Sequence, residues 1–89
     1  MSEIRDILQA EGYLDVYDWY DSPEFEYHHH AHVGESVVWV IDGSMDLGLP
    51  DERIRVSAGQ RYEIPAGMLH SATMGPTGCS YIVGEKPTP

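Results

Sequence analysis

Alternation of apolar and polar residues with a period of two, cut by turn signals at short intervals, runs through most of this chain. Successive strand residues face opposite sides, so the pattern demands strands with one buried face and leaves little room for helix. Leu14 and Val16 alternate with Asp15 and Tyr17, and Asp21-Ser22-Pro23 then marks a turn. Glu24 to His32 reads as a second strand, with Phe25 and Tyr27 on the side opposite Glu24, Glu26 and His28. Ser36 to Ile41 is a β-branched and aromatic run that Asp42-Gly43 closes as a turn. Met45, Leu47 and Leu49 alternate with Ser44, Asp46 and Gly48, and Ile54 and Val56 with Arg53 and Arg55. Arg61 to Ile64, His70 to Met74 and Ser80 to Val83 follow, separated by Pro65-Ala66-Gly67 and Gly75-Pro76-Thr77-Gly78. The pattern predicts about eight short strands in a small all-β sandwich or barrel. Residues 2–11 alone read as a short helix: Ser2 caps it, Ile4, Ile7 and Leu8 share a face, and Gly12 stops it. The expected layout is a helical segment at 1–12, a barrel over 13–84 and a frayed Pro-rich tail at 85–89.

Eighty-nine residues hold one domain, because two independent cores do not fit this length. Fifteen Asp and Glu against five Lys and Arg give a formal charge of −10. A nucleic-acid binder needs a basic face, and so does a protein that docks on an anionic membrane. No apolar run is long enough to span a bilayer. The opening Met1-Ser2-Glu3-Ile4-Arg5-Asp6 lacks a secretory signal, and the lone Cys79 permits no internal disulfide. A reducing cytoplasm is therefore the expected compartment. A short chain with many strand edges gains by burying one, so a homodimer is expected.

The histidines carry the chemistry. Four of the five stand at His28, His29, His30 and His32, and the fifth, His70, is far off in sequence. In a regular strand His28, His30 and His32 share one face and His29 takes the other. An H-x-H pair can direct two ring nitrogens at one ion, with a third ligand arriving from another strand, and neutral imidazole is a common transition-metal ligand. The bland alternative is a His-rich solvated edge, and spacing alone does not separate the two.

Two longer motifs do more. His30-Ala31-His32-Val33-Gly34-Glu35-Ser36, continuing to Asp42-Gly43, resembles the first cupin motif, an H-x-H followed by Glu and then Gly. Gly59-Gln60-Arg61-Tyr62-Glu63-Ile64-Pro65-Ala66-Gly67-Met68-Leu69-His70 resembles the second, G-x5-P-x-G-x2-H, at every fixed position. The resemblance covers Tyr13 to Gly84 and implies a small antiparallel β-barrel of jelly-roll type with a short N-terminal helix. It also implies that His30, His32 and His70 ligate a divalent metal inside the barrel. The acidic ligand is where this chain departs. With Gly43 held in place the Glu position falls on Ser36, and Glu35 is one residue early. A slip of one residue turns a side chain to the other face of a strand. Three arrangements stay open: a bulge brings Glu35 inward, the metal has three histidines and vacant positions, or His28 and His30 form the pair. The preferred set is His30, His32 and His70 with Glu35 as fourth member. The Asn often found four residues after the last His of the family is Met74 here, which removes a polar group from the pocket if Met74 points inward.

The resulting expectation is a metal-binding small cupin that holds a small organic molecule in its barrel. The metal is a divalent transition ion (Fe, Mn, Ni, Cu or Zn) acting as a Lewis acid or an oxygen-binding centre. The family hosts isomerases, dioxygenases, decarboxylases and sugar-binding sensors, so the resemblance does not decide whether this chain is an enzyme. The alternative is a non-catalytic ligand-binding or sensory module, which the departures at Ser36 and Met74 favour slightly. Tyr27, Tyr62 and Tyr81 read as barrel-wall residues, Arg53, Arg55 and Arg61 as partners for local acid charge, and Cys79 as a small buried hydrophobe.

Overall fold

A computed structural model describes residues 3–87. Ser2, the expected cap, and the last two residues of the expected tail lie outside them. One helix precedes six strands: α1 (Glu3–Ala10), β1 (Asp15–Asp21), β2 (Glu26–His30), β3 (Ser36–Gly48), β4 (Arg53–Ser57), β5 (Arg61–Ile64) and β6 (His70–Glu85). All pairings are antiparallel. The long strands β3 and β6 pair along their whole length and divide their outer partners between them. Residues 36–39 of β3 take β5 and residues 79–85 of β6 take β1, which makes one four-stranded layer. Residues 44–48 of β3 take β4 and residues 70–73 of β6 take β2, which makes the other. Val38, Val40 and Tyr81 of the first layer pack with Met45, Leu47, Val56, Ala72 and Met74 of the second in one core, so the layers face each other.

Six strands replace the expected eight because two turn signatures do not reverse the chain. Asp42-Gly43 sits inside β3 and Gly75-Pro76-Thr77-Gly78 inside β6. Gly43 has φ +82° and Gly78 φ +84°, and the register jumps between Gly43↔Cys79 and Met45↔Met74. The two glycines meet where the paired strands bend from one layer into the other. A side chain on Gly43 would run into the Gly78 carbonyl. Local turn chemistry is satisfied by a bulge as well as by a hairpin, and alternation does not distinguish them.

Helix α1 covers the outer face of the first layer. Leu8 is fully buried there with Tyr13, Val16 and Val37, and Ile4, Trp39 and Ile82 pack around them. Ile7, expected on the same face, is exposed. Trp39 therefore packs on the helix cluster, with the Arg61 guanidinium 5.2 Å from its ring centre. The last strand runs one residue into the expected tail, through Glu85. No helix among the described residues is long and apolar enough to cross a membrane.

Candidate metal centre

His30, His32 and His70 converge. Each offers a ring nitrogen, and the three atoms lie within 4.8 Å of one another. His70 is 2% exposed, while His30 and His32 are half-buried. The strands bring them together through a bulge. Tyr27 pairs with Ala72 and His30 with His70, so three steps on β2 oppose two on β6. The extra residue changes the parity of the strand. Tyr27, His30 and His32 all line the interior, whereas strict alternation sets Tyr27 opposite the histidines. His28 is left exposed, and the His28–His30 pairing falls away. The Pro65-Ala66-Gly67 turn positions His70. Gly67, at φ +77°, donates its N–H to the His32 carbonyl at 2.9 Å and so ties the loop before His70 to the loop holding His32.

Hydrogen bonds set two of the three tautomers. His30 Nδ1 lies 2.7 Å from the His28 carbonyl and His70 Nδ1 3.0 Å from the Met68 carbonyl. A carbonyl only accepts, so each Nδ1 carries the proton and each Nε2 keeps a lone pair. Burial lowers the His70 pKa from its ordinary 6.5, outweighing the Met68 carbonyl, and the neighbouring histidines push the same way. A neutral ring with a free Nε2 is the form that binds a metal, and backbone bonds of this kind orient metal-ligating histidines. The donor set fits a divalent transition ion such as Zn, Fe, Mn, Ni or Cu.

The three histidines open into a cavity of about 420 Å³ between the layers. Val38, Met45, Leu47, Ile64, Ala72, Met74 and Val83 give it apolar walls. Its polar groups are Tyr17, Trp19, Tyr27, Ser36, Tyr81 and Glu85. A buried carboxylate, Asp21, ties together three residues of the wall. It accepts from Tyr81 OH at 2.7 Å, from Tyr27 OH at 3.0 Å and from Trp19 Nε1 at 3.1 Å. Burial and then Asp21 itself raise the Tyr81 and Tyr27 hydroxyl pKa values, so both remain donors.

The same architecture recurs in known structures. A cupin-2 domain protein from Shewanella frigidimarina superposes with a TM-score of 0.69 at 27% identity, over 83% of this chain and 72% of that one. The fold is that of a small cupin domain. A conserved protein of unknown function from Streptococcus pyogenes matches with a TM-score of 0.72 at 23% identity, over 83% of this chain and 65% of that one. Oxalate decarboxylase of Bacillus subtilis, a protein with Mn(II) centres, matches with a TM-score of 0.73 at 20% identity, over 80% of this chain. This chain spans only 20% of that protein's length. No protein-family model matches the sequence, and no curated protein does.

Within the cupin barrel the expected acidic ligand is elsewhere. Glu35 pairs with Lys86, Nζ to Oε1 at 3.0 Å, and its carbonyl accepts the Lys86 N–H. Its side chain is 53% exposed, and it is no member of the histidine cluster. No bulge brings it inward, because β3 begins at Ser36 and it is Ser36 that lines the cavity. Met74 also points inward, so the cavity does lose a polar group at that position. Arg55 and Arg61 pair with Asp46, Glu11 and Glu63 outside the cavity. Cys79 is buried, which pushes its thiol up to about 11. Asp21 reads in the sequence as part of a turn, yet it ends β1 as a buried carboxylate. Extending the alternation of β1 past Tyr17 through Trp19 to Asp21 was the signal that could have found it.

Proposed function

We propose that this cupin holds a divalent transition metal on His30, His32 and His70 and a small organic molecule in the cavity beside it. The observation that carries the reading is the pair of Nδ1–H bonds to backbone carbonyls, which leaves Nε2 lone pairs free in a tight three-histidine cluster. Three neutral ligands leave a bound ion its full charge and open positions, so it supplies Lewis acidity or an oxygen-binding centre. The cavity volume suits a small molecule, and its walls are largely apolar. The manganese of the structurally similar oxalate decarboxylase makes Mn(II) one ion to test first. Elemental mass spectrometry on untagged protein, purified without chelator, is expected to find one divalent ion per chain. His70→Ala is expected to lose it, and unchanged metal content in that variant overturns the assignment. A homodimer belongs to the same reading. β1 pairs on one side only, and Trp19 and Tyr20 are 52% and 58% exposed along it. Sedimentation equilibrium decides between one chain and two.

A further inference from the structure

The polar groups of the cavity divide into those already used and those still free. Trp19, Tyr27 and Tyr81 spend their donors on Asp21, and Tyr17 donates to Glu85. Two groups remain. Ser36 is 3% exposed, and its Oγ has no hydrogen-bond partner among the described residues. Glu85 accepts the Tyr17 hydroxyl on Oε2 at 3.1 Å, which leaves Oε1. Ser36 and Glu85 are direct partners across the β3–β6 ladder, and both line the cavity. Side chains so placed stand about 5 Å apart at Cβ. A buried hydroxyl without a partner is costly, and one facing a cavity beside a carboxylate is free to bond a group that enters the cavity.

We propose that Ser36 and Glu85 bind the hydroxyl group of a small hydroxy acid whose carboxylate is held at the histidine centre. The proposal rests on the metal reading above. A hydroxyl accepts and donates at once, which matches this pair: Ser36 O–H donates to the ligand oxygen, and the ligand O–H donates to Glu85 Oε1. The carboxylate end is assigned by charge. Among the described residues no Lys or Arg lines the cavity, so an anionic group finds positive charge there at the metal. Ile64, paired with Ser36 across the β3–β5 ladder, and Val38, two residues along β3, offer an apolar surface to the carbon skeleton.

Calorimetric titration of Co(II)-loaded protein with lactate, β-hydroxybutyrate and γ-hydroxybutyrate, each against its parent acid without the hydroxyl, tests the pairing. At least one hydroxy acid is expected to bind about tenfold or more tightly than its parent, the size of one hydrogen bond to a charged group. Ser36→Ala and Glu85→Gln are each expected to reduce that ratio towards one while leaving Co(II) stoichiometry unchanged. Ser36→Ala also removes an unpartnered hydroxyl, so its melting temperature is expected to equal or exceed that of the wild type. Normal Co(II) binding without preference for any hydroxy acid refutes the proposal and leaves the metal reading standing. So does a preference that survives in both variants. A wild type that binds no Co(II) refutes both.

Discussion

Replacing Asp21 by Ala tests whether the buried carboxylate organises the cavity wall. Asp21 is 8% exposed, and its oxygens take three donors. The Tyr81 bond is buried and short at 2.7 Å, while the Tyr27 and Trp19 bonds are partly buried. Removing the carboxylate also removes the cost of burying it, so the three bonds do not simply add. What remains is a stranded Tyr81 hydroxyl, at about 1–3 kcal/mol, with smaller contributions from Tyr27 and Trp19, which reach water. The expected loss is about 2–4 kcal/mol, a large share of the roughly 4–13 kcal/mol that a domain this size commands. Asp21→Asn keeps one acceptor oxygen and is expected to cost less. Tyr81→Phe is expected to cost more than Tyr27→Phe, because the Tyr27 hydroxyl divides itself between both carboxylate oxygens at 3.0 Å. Urea unfolding of metal-free protein measures these values, and Trp19 fluorescence reports the site when read in a Trp39→Phe background. An Asp21→Ala variant within about 0.5 kcal/mol of wild type refutes the reasoning. So does Tyr27→Phe proving the more damaging of the two.

Glu35→Gln is expected to retain full metal content and to unfold at nearly the same urea concentration as the wild type, since it breaks only a surface pair with Lys86; metal loss in that variant returns Glu35 to the site. Folding holds His70 below its ordinary pKa of 6.5, so the unfolded chain binds the proton more readily. Its contribution to the stability of metal-free protein is therefore complete above 6.5 and lost as pH falls below it, and thermal melts across that range are expected to be flatter in His70→Gln. Gly43→Ala is expected to cost more than about 2 kcal/mol, because positive φ and the Gly78 carbonyl both oppose the new methyl. Gly59→Ala, with positive φ but nothing within 4 Å, is expected to cost only the conformational strain of about 1–2 kcal/mol. Equal losses at the two glycines, measured in urea, refute the close approach at Gly43.

Much of the candidate site was legible before folding. The H-x-H at His30 and His32, the turn leading to His70 and the spacing between them mark chemistry that depends on residue type and separation. The structure brings these three together through the bulge in β2, which alternation cannot register. A bulge adds a residue without altering composition, yet it reverses the face of everything after it. The same limit explains Glu35. Its position one residue before Ser36 is visible in the sequence, but only the start of β3 at Ser36 decides which of the two faces the cavity.

The sequence by itself determined the strand-rich class and the N-terminal helix, because these follow from local periodicity, and its two motifs marked His30, His32 and His70 as the candidate ligands. Tertiary structure alone decided that Asp42-Gly43 and Gly75 to Gly78 bend strands instead of reversing them, that Trp39 packs on the helix, and that Asp21 gathers three aromatic donors. It also set Ser36 beside Glu85 on the cavity wall. Each of these depends on contacts between residues distant in the chain. Local propensity is the same for a turn and a bulge, or for an inward and an outward acid, until cross-strand register selects between them.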